Sequence, residues 1–170
     1  ALETQPNICL ISEEVAAKKM SLSQIADYIA DSVEKRAAKG MNFGVAIIPE
    51  GVVEFVPEFS VLIHEINELL AGSKADAFNA LPTWDEKYAF IEKGLTKESM
   101  EVFALLPQAI QQQLFLERDP HGNVQVSLIE SEKLFSALVA DKLAARKAAG
   151  TYKGKFGALH HFFGYEGRCA

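Results

Sequence analysis

Two stretches of this chain hold residues whose types and spacing suit chemistry. The first is Phe162-Phe163-Gly164-Tyr165-Glu166-Gly167-Arg168, a short apolar run opening into two glycines, an aromatic, an acid and an arginine. That order predicts a buried strand ending in a tight loop, where glycines let backbone approach a ligand closely. Tyr165 offers a hydroxyl, and Arg168 a planar fork able to give a phosphate two parallel charge-assisted bonds. The second is Pro49-Glu50-Gly51, which abruptly ends the apolar run Phe43-Gly44-Val45-Ala46-Ile47-Ile48. Ligands of open parallel sheets bind beyond the carboxyl ends of the strands, and a carboxylate there can accept hydrogen bonds from sugar hydroxyls. Local sequence leaves alternatives open at both places. Local sequence alone favours an ordinary polar turn residue for Glu50, and Arg168 equally suits a structural ion pair with Glu166. Lys153 and Lys155 would extend a positive patch toward a phosphate, or are simply solvated.

The elements that must position these residues alternate at first. Ile8-Cys9-Leu10-Ile11 predicts a strand behind Pro6-Asn7. Ser21 or Ser23 caps a helix whose Ile25, Ile29, Val33 and Ala37 recur every fourth residue, with Gly40 as its stop. The run from Phe43 to Ile48 then predicts a strand covered on both faces. Strand, helix, strand at this spacing predicts a parallel crossover. Pro57-Glu58 opens a second helix, with Val61-Leu62, Ile66 and Leu69-Leu70 on its apolar side.

From Ser73 to about Leu116 the strand signal vanishes, and short helices are punctuated by Pro82, Gly94 and Pro107. Trp84, Tyr88, Ile91 and Leu95 form one apolar stripe, and Met100, Phe103, Ala104 and Leu106 another. Such stripes are read as packing faces and not as a cofactor box. His64 and Glu65 are expected to face solvent. Asp119-Pro120-His121-Gly122-Asn123 predicts a turn, and the alternation in Val124-Gln125-Val126-Ser127-Leu128 predicts a half-exposed strand, with Leu114-Phe115-Leu116 as its hairpin partner. A long helix is expected over 130–149, burying Leu134, Phe135, Leu138, Val139 and Leu143.

Composition bounds what such a chain does. Its 170 residues, 49% hydrophobic and 24% charged, suit a globular protein able to bury a core without staples. A net charge of −6 argues against a nucleic-acid or anionic-membrane binder. No apolar run reaches the length of a membrane span, and no leader pattern opens the chain. Cys9 and Cys169 are read as reduced thiols of a cytoplasmic protein in preference to a disulfide. The adjacent His160 and His161 would point to opposite strand faces, so no metal-ligand spacing is expected. No Ser/His/Asp or Cys/His relay can be assembled, and neither a Walker loop nor a Gly-x-Gly-x-x-Gly fingerprint is present.

Together, Pro6 to Glu14, Asn42 to Phe55, Gly122 to Ser127, Tyr152-Lys153-Gly154-Lys155-Phe156 and Phe163 to Cys169 resemble the long form of pyrophosphate-dependent 6-phosphofructokinases. The matching segments run in family order along nearly the whole chain, and the Pro-Glu-Gly and Gly-Tyr-Glu-Gly-Arg pieces are the most specific. The resemblance implies an α/β fold, part of a phosphofructokinase-type parallel-sheet lobe with a helical insertion. Residues 1–72 and 117–170 would form the α/β portion, and 73–116 the insertion. It implies phosphoryl transfer from pyrophosphate to fructose 6-phosphate with Mg²⁺, in a homo-oligomeric glycolytic enzyme. Glu50, Tyr165, Glu166, Gly167 and Arg168 would match the family's sugar-phosphate contacts, with Arg168 on the 6-phosphate.

The family's Gly-Gly-Asp donor loop, its Thr-Ile-Asp-x-Asp base segment and its Met-Gly-Arg motif are not among these residues and are expected before Ala1, which is itself no initiator methionine. The chain therefore reads as an internal fragment, inactive alone, without catalytic or metal-binding residues of its own. Its pyrophosphate contacts would come from the missing segments, so ATP remains open as the donor. A second reading, from another class, is a helical interaction or oligomerisation module on an α/β platform.

Overall fold

The computed structural model describes residues 5–116, 118 and 122–156. It is mostly helical, with a two-stranded parallel sheet among the described residues. Strand β1 (Ile8–Cys9) is followed by α1 (Ser12–Ala17) and α2 (Leu22–Ala37), and the chain returns to β2 (Ala46–Ile47). Ile8 lies opposite Ala46 and Cys9 opposite Ile47. The parallel crossover expected from sequence is thus present. The strands are far shorter than expected, because the chain turns into α1 at Ile11.

Helix α2 forms where its caps dictate. The Ser21 hydroxyl accepts from the Gln24 amide at 3.1 Å, and the Gln24 side chain accepts from the Ser21 amide at 2.9 Å. This reciprocal box satisfies two orphan donors of the first turn. Leu22, Ile25, Ala26, Ile29 and Ala30 line the buried face at helical spacing. Gly40 ends the segment at φ +78°, a left-handed conformation that suits glycine.

After β2, a 3-10 turn (Val52–Phe55) leads into α3 (Pro57–Leu69), which has Pro57 in its first turn. The Glu58 carboxylate accepts from the Leu22 amide at 2.8 Å, so α3 caps α2 from 36 residues away. Phe59, Leu62, Ile66 and Leu69 of α3 are buried, whereas Val61, expected beside Leu62, is exposed.

Four short helices follow: α4 (Ser73–Asn79), α5 (Trp84–Gly94), α6 (Lys97–Leu105) and α7 (Gln108–Leu116). They pack against α3 through α6 and α7 and join the same hydrophobic cluster. Phe103, Leu106, Ile91 and Leu95 are buried, and Trp84 and Tyr88 lie half-buried against them. Ala104 is exposed, and Val102 takes the place expected for it. Phe115 packs on Phe78 and Phe103, with ring centroids 5.3 and 5.6 Å apart.

That packing overturns the expected hairpin. Leu114, Phe115 and Leu116 belong to α7, where Ile110, Gln111, Leu114 and Phe115 fall on one buried helical face. A short apolar run fits helix and strand alike, and the aromatic cluster selects helix. Residues 126–128 form a 3-10 turn, and among the described residues pairing here is an antiparallel bridge between Arg118 and Val124. Helix α8 (Ser131–Ala148) buries Leu134, Phe135, Leu138, Val139 and Leu143 against α2, as expected.

Candidate functional site

Glu50 stands at the carboxyl end of β2, in the turn that sequence singled out. The Val52 amide donates to the Pro49 carbonyl at 3.3 Å, and Gly51 adopts φ +70°. Val52, Val53 and Val56 just beyond are fully buried, so a solvent-exposed carboxylate rides on an anchored base. Helix α1 packs against the 3-10 turn, which brings the end of β1 to the same side. In open parallel sheets ligands bind beyond such ends.

Acids predominate in the flanking elements: Glu13 and Glu14 open α1, where Glu14 pairs with Lys18 at 2.7 Å, and Glu54 lies in the 3-10 turn. Glu50 itself makes no hydrogen bond or ion pair with another described residue, so its oxygens are available to donors from a ligand. Such an end suits hydroxyl groups and repels phosphate unless a cation is brought to it.

Tyr165, Glu166, Gly167 and Arg168 lie outside the described residues, as do Phe162, Phe163, His160 and His161. Of the expected contacts, the structure therefore places Glu50. Lys153 and Lys155 are exposed, and the Lys155 amide donates to the Asn42 side chain at 3.2 Å. Asn42 precedes β2 and Glu50 follows it, so this loop sits at the far end of the strand from the carboxylate. The patch of lysines is not brought to Glu50.

Several polar side chains that position the surrounding helices were missed by the sequence reading. Glu65, expected to face solvent, accepts from the Thr96 amide at 2.9 Å and from its hydroxyl at 2.8 Å, bracing the N-terminus of α6. Burial pushes the Glu65 carboxyl up, but the Thr96 bonds outweigh it and hold it below the usual range. Asn67 of α3 accepts from the Val124 amide at 2.9 Å and from Arg118 at 3.2 Å, pinning the bridge between those residues.

The largest polar group joins α2 to α8. Arg146 reaches Asp31 at 2.7 Å, Glu34 at 2.9 Å and Asp27 at 3.2 Å, and Lys142 reaches Asp27 at 2.7 Å. The hydrogen bond from Lys142 holds the Asp27 carboxyl below its ordinary value, and the bond to Asp31 raises Arg146. Burial raises the Tyr152 hydroxyl. These partners saturate one another and form a clamp, with no carboxylate left over for a ligand role.

Among the described residues no group of three or more His, Cys, Asp or Glu side chains could hold a metal ion. No helix among the described residues is long and apolar enough to cross a membrane.

Comparison with known proteins gives the geometry a context. No family model matches the chain. It is 50% identical over 170 residues to the pyrophosphate–fructose 6-phosphate 1-phosphotransferase of Treponema pallidum (strain Nichols), covering 100% of this chain and 30% of that protein. It is 52% identical over 169 residues to subunit beta 1 of the Arabidopsis thaliana enzyme of the same name, covering 99% of this chain and 28% of the relative. The corresponding protein of Entamoeba histolytica (strain ATCC 30459 / HM-1:IMSS / ABRM) is 49% identical over 170 residues, covering 100% of this chain and 30% of the relative. The resemblance read from five motifs thus holds along the whole chain. The chain spans about 30% of the length of these curated relatives.

Proposed function

We propose that this chain is the sugar-phosphate-binding piece of a longer, cytoplasmic, homo-oligomeric, pyrophosphate-dependent phosphofructokinase. The observation that carries the reading is near-50% identity to such phosphotransferases along all 170 residues. The position of Glu50, exposed at the carboxyl end of a parallel strand pair, agrees with it. In the whole enzyme a P–O bond of pyrophosphate breaks as a new one forms to the 1-hydroxyl of fructose 6-phosphate. The products are fructose 1,6-bisphosphate and phosphate, and the hydroxyl proton goes to a base outside this chain. Mg²⁺, held elsewhere, would neutralise the charge on the transferring group.

The role of this chain's residues is to bind and orient. Glu50 accepts hydrogen bonds from sugar hydroxyls, while the Tyr165–Arg168 loop supplies the cation that the acidic strand end lacks. Arg168 holds the 6-phosphate, and Gly167 lets backbone approach it. Residues 73–116 are a helical insertion between the α/β portions 1–72 and 117–170. Because the 170 residues contain no donor loop or base segment, the chain alone should show no measurable transfer to fructose 6-phosphate.

The test is kinetic, in the full-length enzyme. Arg168→Ala should raise the KM for fructose 6-phosphate about ten- to hundred-fold, the equivalent of losing a charge-assisted bond of roughly 1.5–3 kcal/mol, while the KM for pyrophosphate stays put. Lysine should restore only part of the loss, since a point charge does not reproduce the fork. Unchanged sugar kinetics would return Arg168 to an ion-pair role.

A further inference from the structure

Helices α5 and α7, with the turn that ends α6, border an open cleft of about 550 Å³ lined by Trp84, Asp85, Tyr88, Leu106, Gln108 and Gln111. It shares no residue with the Glu50 turn. Local chemistry places the lining. The Thr83 hydroxyl accepts from the Glu86 amide at 3.3 Å, and this cap fixes the first turn of α5, which holds Trp84 and Asp85. Trp84 and Tyr88 stand four residues apart, on one face of that helix. Both are half-buried against the core, and the Tyr88 ring lies beside Phe103 with centroids 5.8 Å apart. Across the cleft, the Gln111 amide donates to the Pro107 carbonyl at 3.0 Å in the first turn of α7.

Gln111 decides what the cleft can recognise. Its side chain is buried, with only 8% of the residue exposed. The Nε2 group donates to the Phe103 carbonyl at 2.9 Å, which fixes the orientation of the amide. Oε1 has no partner among the described residues and is not sealed from solvent, so it opens on the cleft that Gln111 lines. Held this way round, the open end of the amide accepts and cannot donate. A ligand N–H or O–H would satisfy it.

The rest of the lining adds charge and flat apolar surface. Asp85 is exposed and has no ion pair among the described residues. None of the six lining residues is basic, and Lys87 of the same helix lies over the Phe78 ring at 5.2 Å instead. The N-terminal end of α7 brings about half a positive charge, against the full negative charge of Asp85. Indole and phenol rings attract cations to their faces. A locked acceptor, a free carboxylate and two aromatic rings together suit a group that is planar, positive and donor-only, as guanidinium is. A carboxylate or phosphate would meet like charge at Asp85.

We propose that this cleft binds a guanidinium-headed cation. Asp85 and the Gln111 Oε1 accept its N–H groups, and the Trp84 and Tyr88 rings flank it. Two sources offer that chemistry, a free small molecule and the arginine side chain of a polypeptide.

Trp84 is the single tryptophan of the 170-residue chain, so indole fluorescence reads the cleft directly. Titration with methylguanidinium should give a saturable change with a Kd on the order of 1 mM. Sodium chloride at matched ionic strength and neutral urea at the same concentrations should not. Asp85→Asn should weaken binding about ten-fold or more, and Gln111→Met about three- to ten-fold. Urea unfolding checks that each variant is folded, and the exposed Asp85 keeps the test standing if Gln111→Met destabilises the chain. A capped Gly-Arg-Gly peptide separates the sources: binding as tight as methylguanidinium assigns an arginine side chain, and binding of methylguanidinium alone assigns a free ligand. No saturable change, an equal response to urea, or an Asp85→Asn protein that titrates like the unaltered one would overturn the proposal. None of these readouts involves fructose 6-phosphate or pyrophosphate, so the cleft can fail while the sugar site stands, and the reverse.

Discussion

The α2–α8 contact and the β1–β2 ladder each join two elements distant in sequence, and they differ in completeness. Between the helices, Leu22, Ile25, Ala26, Leu134, Phe135 and Val139 are sealed from water, and Lys142 and Arg146 close the rim onto Asp27, Asp31 and Glu34. In the ladder, Ile8 and Leu10 of the β1 side are buried while Phe43 and Val45 of the β2 side face water. The helical contact seals its apolar face and pairs its rim charges. Among the described residues the β2 side of the sheet is left exposed, and the carboxylate of Glu50 sits at its end. Stability and the candidate site are therefore separable: the first belongs to the helices and the second to the strand ends.

Breaking the helical side should have the largest effect. Phe103 is fully buried among Tyr88 and Phe115, so Phe103→Ala should cost about 3–5 kcal/mol in urea unfolding, with the residual cavity adding to the lost burial. A cost under about 1 kcal/mol would mean that residues 73–116 are loosely attached to the core.

A smaller effect is expected at the turn joining the two regions. Gly51 holds φ +70° with Glu54 near its open side, so Gly51→Ala should cost about 1–2 kcal/mol through backbone strain. Because the same turn presents Glu50, sugar affinity in the full-length enzyme should fall along with stability.

The smallest effect concerns the rim. Arg146→Met takes the partner from Asp31 and Glu34 while Asp27 keeps Lys142, and the carboxylates are partly solvated, so a loss of only about 0.5–1 kcal/mol is expected. The rim's signature is pH dependence. Asp27 has a folded-state value held below its ordinary 3.8, so it binds fewer protons folded than unfolded as pH falls through that range. The clamp's contribution is present above about pH 4 and should be lost progressively below it. Acid titration of unfolding should show a shallower fall in a Lys142→Met protein, which loses the bond that depresses Asp27, than in the unaltered one.

Legibility in sequence followed the same division. Helices marked by local signals were read well: Ser21 with Gln24, Gly40, Pro57 and the apolar spacing of α8 each lie within a few residues of what they control. Leu114-Phe115-Leu116 was misread because contacts with Phe78 and Phe103 decide its conformation. The helix-bracing acids, Glu58 on Leu22 and Glu65 on Thr96, act across 36 and 31 residues and have no local signature. The sheet was over-read, since an apolar run predicts burial but not the strand that provides it. The turn that carries Glu50 was legible because proline and glycine bracket it. The roles of Tyr165 and Arg168 came from family resemblance and not from spacing.

The most direct test of the central claim, that the carboxyl end of β2 holds the sugar, is equilibrium binding of fructose 6-phosphate to the full-length enzyme with Glu50→Ala. Removing an acceptor carboxylate should weaken sugar binding by about ten-fold or more while leaving pyrophosphate affinity and the unfolding midpoint unchanged. An unaltered affinity for fructose 6-phosphate would contradict the account and leave Glu50 as a polar residue of the turn.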